Sequence, residues 1–428
     1  MKAYKGSIFH FLNDQPLLYQ YWENGLLLVD DQGLVVSTGP AEEFQGKLGP
    51  DIQIIDYTQH LILPGLIDSH IHYPQTEMIG SYGAQLLEWL QKYTFPTEMK
   101  FSNKQYAESV AHEFINLLIA NGTTTAAVFC TVHPESVDAL LEVALVRHMR
   151  IIAGKVMMDR HAPDSLLDTP LTGYRQSEVL IEKWHQRDRI HYALTPRFAP
   201  TSSPEQLQKV GELFSKVPGL YLQTHLSENK AEVEWVSQLY PKAKHYLDVY
   251  DQYGLVTDHS IFGHAIHLCD QEWQRLATAE ASIAFCPSSN LFLGSGLFQL
   301  KKAEEHNVKV SVGTDVGAGT SFSILKTLRS AYETQQLQGN SLSPFRSIYM
   351  ATLGGAKALQ LDEKIGNFAV GKEADFIVVD WGQPRELNNR ILHSNSNDLN
   401  DKLFALCQLA DDRTIKETYI FGKPSKNQ

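Results

Sequence analysis

The 428-residue chain is poor in cysteine: Cys130, Cys269, Cys286 and Cys407 lie far apart, with no CxxC spacing. That excludes a disulfide framework and a thiolate zinc knot. Long apolar runs are missing too, none approaching the roughly 20 residues that span a bilayer. The opening stretch, MKAYKGSIFHFLNDQ, holds no apolar segment of signal-peptide length. No block of Lys or Arg stands out, and 37 basic against 49 acidic residues give a net charge of −12. Without a basic footprint, nucleic acid is excluded as a partner and small-molecule chemistry is favoured. The expectation is a cytoplasmic protein with no membrane partner. Composition is otherwise that of a globular protein, 43% hydrophobic and 20% charged, which argues against wholesale disorder.

What is present is alternation. Short apolar, β-branched runs recur at 65–72 (GLIDSHIH), 123–131, 150–159, 189–198, 220–228, 260–268, 282–290 and 308–317 (VKVSVGTDVG). Amphipathic stretches such as PESVDALLEVALVRH and SPEQLQKVGELFSKVPG separate them, opening on Pro-Glu or Ser-Pro as helices do. Eight strands alternating with helices predict an α/β fold, a (β/α)₈ TIM barrel. An open doubly-wound sheet would favour a glycine-rich loop after its first strand, and HIHYPQT is no such loop. Residues 1–63 and 365–428 carry β-like runs that build no core alone. They are expected to pair into one small β-sandwich domain beside a catalytic barrel at 64–364. The stretch 388–401, NNRILHSNSNDLND, is expected to be a polar loop.

Two histidines close the first barrel strand. Residues i and i+2 of a strand face the same side, so His70 and His72 point together. An HxH pair is weak by itself. His225, His264 and Asp315 also fall near the ends of predicted strands, and a closed barrel gathers those ends at one mouth. Imidazoles with a carboxylate suit Zn²⁺ or Fe²⁺ with room for water. Asp68 shares the parity of His70, either orienting a ligand or joining a polar layer. His267 has the opposite parity to His264 and is expected to pack or face solvent.

At this point the chain resembles the amidohydrolase superfamily, through PGLIDSHIH, THLSE, GHAIHL, GTDVGAG and IGNFAVGKEADFIVVD. Three further stretches, LLEWLQKYTFPTE, KVMMDRHAPDSLLDT and TPRFAPTSS, are similar to those of the guanine deaminases within it. The resemblance implies one Zn²⁺ per subunit, with Fe²⁺ the alternative, held by His70, His72, His225 and Asp315. It implies that Glu228, three residues past His225, shuttles protons. His264 would act beside the attacking water and Asp315 would take a second proton. Gln75, Arg197 and Phe198 would contact the purine with His72, His225, Glu228 and Asp315; Leu86 and Trp89 either wall the pocket or simply fill a buried helix. The implied reaction deaminates guanine, and the implied assembly is a homodimer. Another heterocycle on the same fold and a catalytically silent scaffold are the alternatives. The fourth predicted strand, RIHYALTPRF, offers no Lys or Glu to the mouth, so a second, bridged metal is not expected.

Overall fold

The computed structural model describes residues 1–82, 85–394 and 398–426. Strands β1 (Lys2–Asp14), β2 (Leu17–Val29), β3 (Val35–Pro40) and β4 (Gln53–Pro64) come first. The barrel strands follow: β5 (Leu66–His72), β6 (Thr123–Phe129), β7 (Arg150–Gly154), the short β8 (Val156–Met157), β9 (Ile190–Pro196), β10 (Tyr221–Leu226), β11 (Ser260–His264), β12 (Ser282–Phe285) and β13 (Lys309–Val312). β14 (Phe376–Asp380), β15 (Ile415–Ile420) and β16 (Lys423–Pro424) return to the terminal sheet.

The parallel order β13-β12-β11-β10-β9-β7-β6-β5 makes the eight-stranded barrel, with β8 paired to β9. Backbone hydrogen bonds draw its ends together, Asp315 N donating to His70 O at 2.8 Å and His72 N to Val316 O at 3.0 Å. The expected helices are there for local reasons. Ser203 caps Pro204–Lys216, and Thr169 caps Pro170–Trp184, each with proline in the first helical turn. The barrel is filled, not hollow. Ile67, Ala127, Ile152, Ala193, Tyr221, Ile261 and Ala284 supply one buried residue from each of seven strands, and Ala356, Leu359, Leu361 and Ile365 pack against them.

Both chain ends build one mixed sheet, β16-β15-β14-β4-β1-β2-β3. Here β14 runs antiparallel to β4, with Ile62 opposite Val378, over a core that includes Tyr4, Ile8, Phe376 and Tyr419. The fold class read from strand alternation is therefore the one observed. The stretch 388–401 is not simply a loop. It ends the helix Arg385–Leu392 and starts Leu399–Leu409, whose Leu387, Leu403 and Leu406 are buried; residues 395–397 lie outside the described residues. No helix among the described residues is long and apolar enough to cross a membrane.

Candidate active site

The mouth at the C-terminal ends of the barrel strands gathers all five residues singled out there. Ligand atoms of His70, His225, His264 and Asp315 lie within 4.8 Å of one another, all buried. His72 joins them: its Nε2 is 3.2 Å from His225 Nε2 and 3.3 Å from Asp315 Oδ1. His70 Nε2 lies 3.4 Å from the same Asp315 oxygen. The Phe129 ring closes the wall behind them, its centroid 4.6–4.8 Å from those of His70, His72 and His225.

Local backbone explains how strand tips aim these groups. Ser227, His264, Ala265 and Asp315 all have φ between 49° and 68°, a left-handed conformation that non-glycine residues enter at a cost of order 1 kcal/mol or more. Strain of this kind persists where the surroundings enforce it, here at the turns leaving β10, β11 and β13. Asp68 does not touch an imidazole. It accepts from His70 N at 3.2 Å and Thr314 N at 3.0 Å, lashing β5 to the segment after β13, and burial pushes its carboxyl up to about 7. The parity argument for His267 does not apply, because the strand ends at His264; His267 Nε2 instead hydrogen-bonds Ser295 O at 2.9 Å.

The donor set fits a cation. Burial holds His70 and His225 below the ordinary imidazole range and takes His72 down to about 3, so lone pairs are available. His225 donates from Nδ1 to Arg197 O at 2.7 Å, and His264 from Nδ1 to Asn290 Oδ1 at 2.8 Å, which leaves each Nε2 as an acceptor. Asp315 is buried, which works against ionisation, yet the imidazoles of His70 and His72, 3.4 and 3.3 Å from its Oδ1, and the nearby His264 keep it well below the carboxylate range. Among the described residues, the buried Nε2 atoms of His70 and His264 have no hydrogen-bond partner. Acceptors converging without a donor are costly unless a cation sits between them.

Glu228 enters from the turn after β10. Its Oε1 accepts from Ser295 Oγ at 3.0 Å and its Oε2 lies 3.6 Å from His264 Nε2. Burial, then repulsion from Asp315, raises its carboxyl to about 8. It does not cap the following helix: Asn229 does, its Oδ1 accepting from Ala231 N at 2.9 Å, while Glu232 completes the capping box by accepting from Asn229 N at 3.0 Å and also accepts from Glu228 N at 2.9 Å.

Above this cluster a cavity is lined by Gln75, Leu86, Trp89, Arg197 and Phe198 as well as His72, His225, Glu228, His264 and Asp315. Leu86 and Trp89 thus wall the pocket. Three residues that sequence reasoning passed over complete the arrangement: Ser295, Asn290 and Glu98. The first two follow β12: Asn290 falls in the run 282–290 read as strand, of which Pro287–Phe292 is helix, and Ser295 lies just beyond it. Glu98 is the last residue of LLEWLQKYTFPTE, and its fully buried carboxylate accepts from both Arg197 and Gln75. The other two shared stretches hold the scaffold. Lys155 and Asp168 form a buried ion pair across KVMMDRHAPDSLLDT, and Asp159 accepts from Ser203 N at 2.7 Å.

Residues 61–424 match the amidohydrolase family. Over 430 aligned residues the chain is 53% identical to a guanine deaminase of Escherichia coli (strain K12), covering 99% of this chain and 97% of that one. The chain belongs to the amidohydrolase family, among its guanine deaminases. The solved E. coli guanine deaminase superposes with a TM-score of 0.94 at 50% identity, covering 99% of this chain and 98% of the other. A guanine deaminase from C. acetobutylicum, solved with guanine bound in its active site, gives 0.88 at 30% identity and 99% coverage of both chains.

Proposed function

We propose that this chain hydrolyses guanine to xanthine and ammonia. The reading is carried by one observation: a single cavity places Arg197, Gln75 and Phe198 opposite His72, Glu228, His264 and Asp315. Membership among the guanine deaminases supports it. The ion belongs with His70, His72, His225 and Asp315, with His264 close enough to substitute or assist. A Zn²⁺ held there, with Fe²⁺ the alternative, supplies Lewis-acid activation of water.

The chain's own groups do the rest. Phe198 offers an apolar face to the planar ring. Arg197 donates toward the C6 carbonyl, while Gln75 presents both donor and acceptor to the ring edge. Glu228 takes a proton from the attacking water and delivers it to N3 as oxygen adds at C2. Burial and the nearby Asp315 favour the protonated carboxyl, so Glu228 holds the proton it has taken until N3 accepts it. His264 hydrogen-bonds the attacking oxygen. The remaining hydroxyl proton passes by way of Asp315 to the amine, the C2–N bond breaks, and ammonia leaves with the carbonyl formed. Residues 64–364 act as the catalytic unit, with 1–63 and 365–428 as the β domain. A homodimer in the cytoplasm belongs to the same reading.

The test is guanine absorbance and ammonia release from wild type and Glu228→Gln side by side. Wild type consumes guanine; the variant loses turnover by a factor of about 100 or more with metal content unchanged. A variant as active as wild type removes Glu228 from the chemistry.

A further inference from the structure

Glu98 touches no part of the cavity, yet every group proposed to read the purine edge leans on it. It closes the short helix Phe95–Glu98 and is 0% exposed. Its Oε1 accepts from Gln75 Nε2 at 3.2 Å and from Arg197 Nη1 at 2.9 Å, and its Oε2 accepts from the same Nη1 at 2.8 Å. A carboxylate can only accept, so it dictates which end of the Gln75 amide faces it. The amide's other end is fixed from the opposite side, Gly317 N donating to Gln75 Oε1 at 3.2 Å. Gln75 is thereby locked with one donor hydrogen and one lone pair to spare. Among the described residues, Arg197 makes its side-chain hydrogen bonds through Nη1 alone, leaving Nε and Nη2 free to donate. The Phe95 ring, 5.7 Å from Arg197 Cζ, braces the guanidinium further.

We propose that Glu98 is a positioning residue that sets the preference for a purine bearing oxygen at C6, acting through Arg197 and Gln75. The proposal rests on the guanine reading above. One acceptor-only group orients both readers, so a substrate lacking the C6 oxygen meets donors that cannot turn away to find another partner. Without Glu98 the two side chains rotate, and that penalty disappears with the order.

The experiment compares guanine with 2-aminopurine, which keeps the C2 amine and lacks the C6 oxygen. Glu98→Gln lowers kcat/KM for guanine by about 10- to 100-fold, while the inhibition constant of 2-aminopurine against guanine falls below its wild-type value. Glu98→Asp, which keeps the charge one methylene further back, falls between. In an Arg197→Gln background, adding Glu98→Gln costs less than it does in wild type, because only its hold on Gln75 is left to lose. That double variant carries no buried unpaired charge and serves if the single one does not fold. Equal losses for both purines, or a full additional loss on top of Arg197→Gln, overturn the proposal. Wild type that releases no ammonia from guanine instead brings down the underlying reading, and the proposal with it.

Discussion

Gly263 gives His70 its place. A methyl group built at that position would lie 2.7 Å from His70 Cε1 and 3.0 Å from Nδ1, and one at Gly313 would lie 2.8 Å from His70 Cβ. Gly263→Ala therefore displaces the imidazole while leaving the barrel standing. The expected result is a loss of metal affinity of about 10- to 100-fold, the size of effect seen when a ligand's orientation is disturbed. Metal content after dialysis against a buffered chelator measures it, and wild-type retention would show that the ring has room to spare. At this scale the histidines were legible because i,i+2 spacing alone puts His70 and His72 on one side of a strand. Glu98 was not. Its partners Gln75 and Arg197 are 23 and 99 positions away, and no period links residues brought together only by barrel closure.

Strands were legible as β-branched runs, and all eight appear. Their ends were not, because the left-handed turns at Ser227, His264 and Asp315 leave no trace in hydropathy. β1 shows what a strand interior can hide. His10 is 1% exposed, packed beside Trp22 and Phe368, and burial takes its pKa from 6.5 to about 4. Its depressed value means the unfolded chain binds the proton first as pH falls. Stability is full above about 6.5 and drains away toward 4, by roughly 3 kcal/mol in all. Urea melts at pH 7 and 4.5 should show a smaller pH-dependent loss in His10→Gln than in wild type. An identical loss in both would clear His10 of the role.

At the scale of the whole molecule, the terminal sheet is bound to the barrel by charge as well as by apolar packing. Arg189, at the start of β9, donates from Nη2 to Glu373 at 2.6 Å and from Nη1 to Asp375 at 3.2 Å; Arg150, which opens β7, donates to Glu373 at 2.5 Å. The Arg189 side chain is 2% exposed, and its removal takes the ion-pair partner from the buried Asp375 carboxylate. Arg189→Met should cost about 3–5 kcal/mol, read as a lower urea midpoint. Guanine turnover in the cold should persist, since these residues sit at the barrel end away from the mouth. An unchanged midpoint would mean water enters and carries the charge. That chain ends pair was legible from two β-rich segments too small to stand alone, but this ionic clamp was not, for its members are single residues in three separate segments.

The pairing of β14 with β4 also orders events during synthesis. The outer edge of β4 is complete at Pro64, and the strand that covers it begins at Phe376. At roughly 5–20 residues per second the ribosome needs about 15–60 s to deliver that partner. Until then a nascent sheet waits with one open border, and the whole catalytic unit must emerge before the first-made strands are sealed.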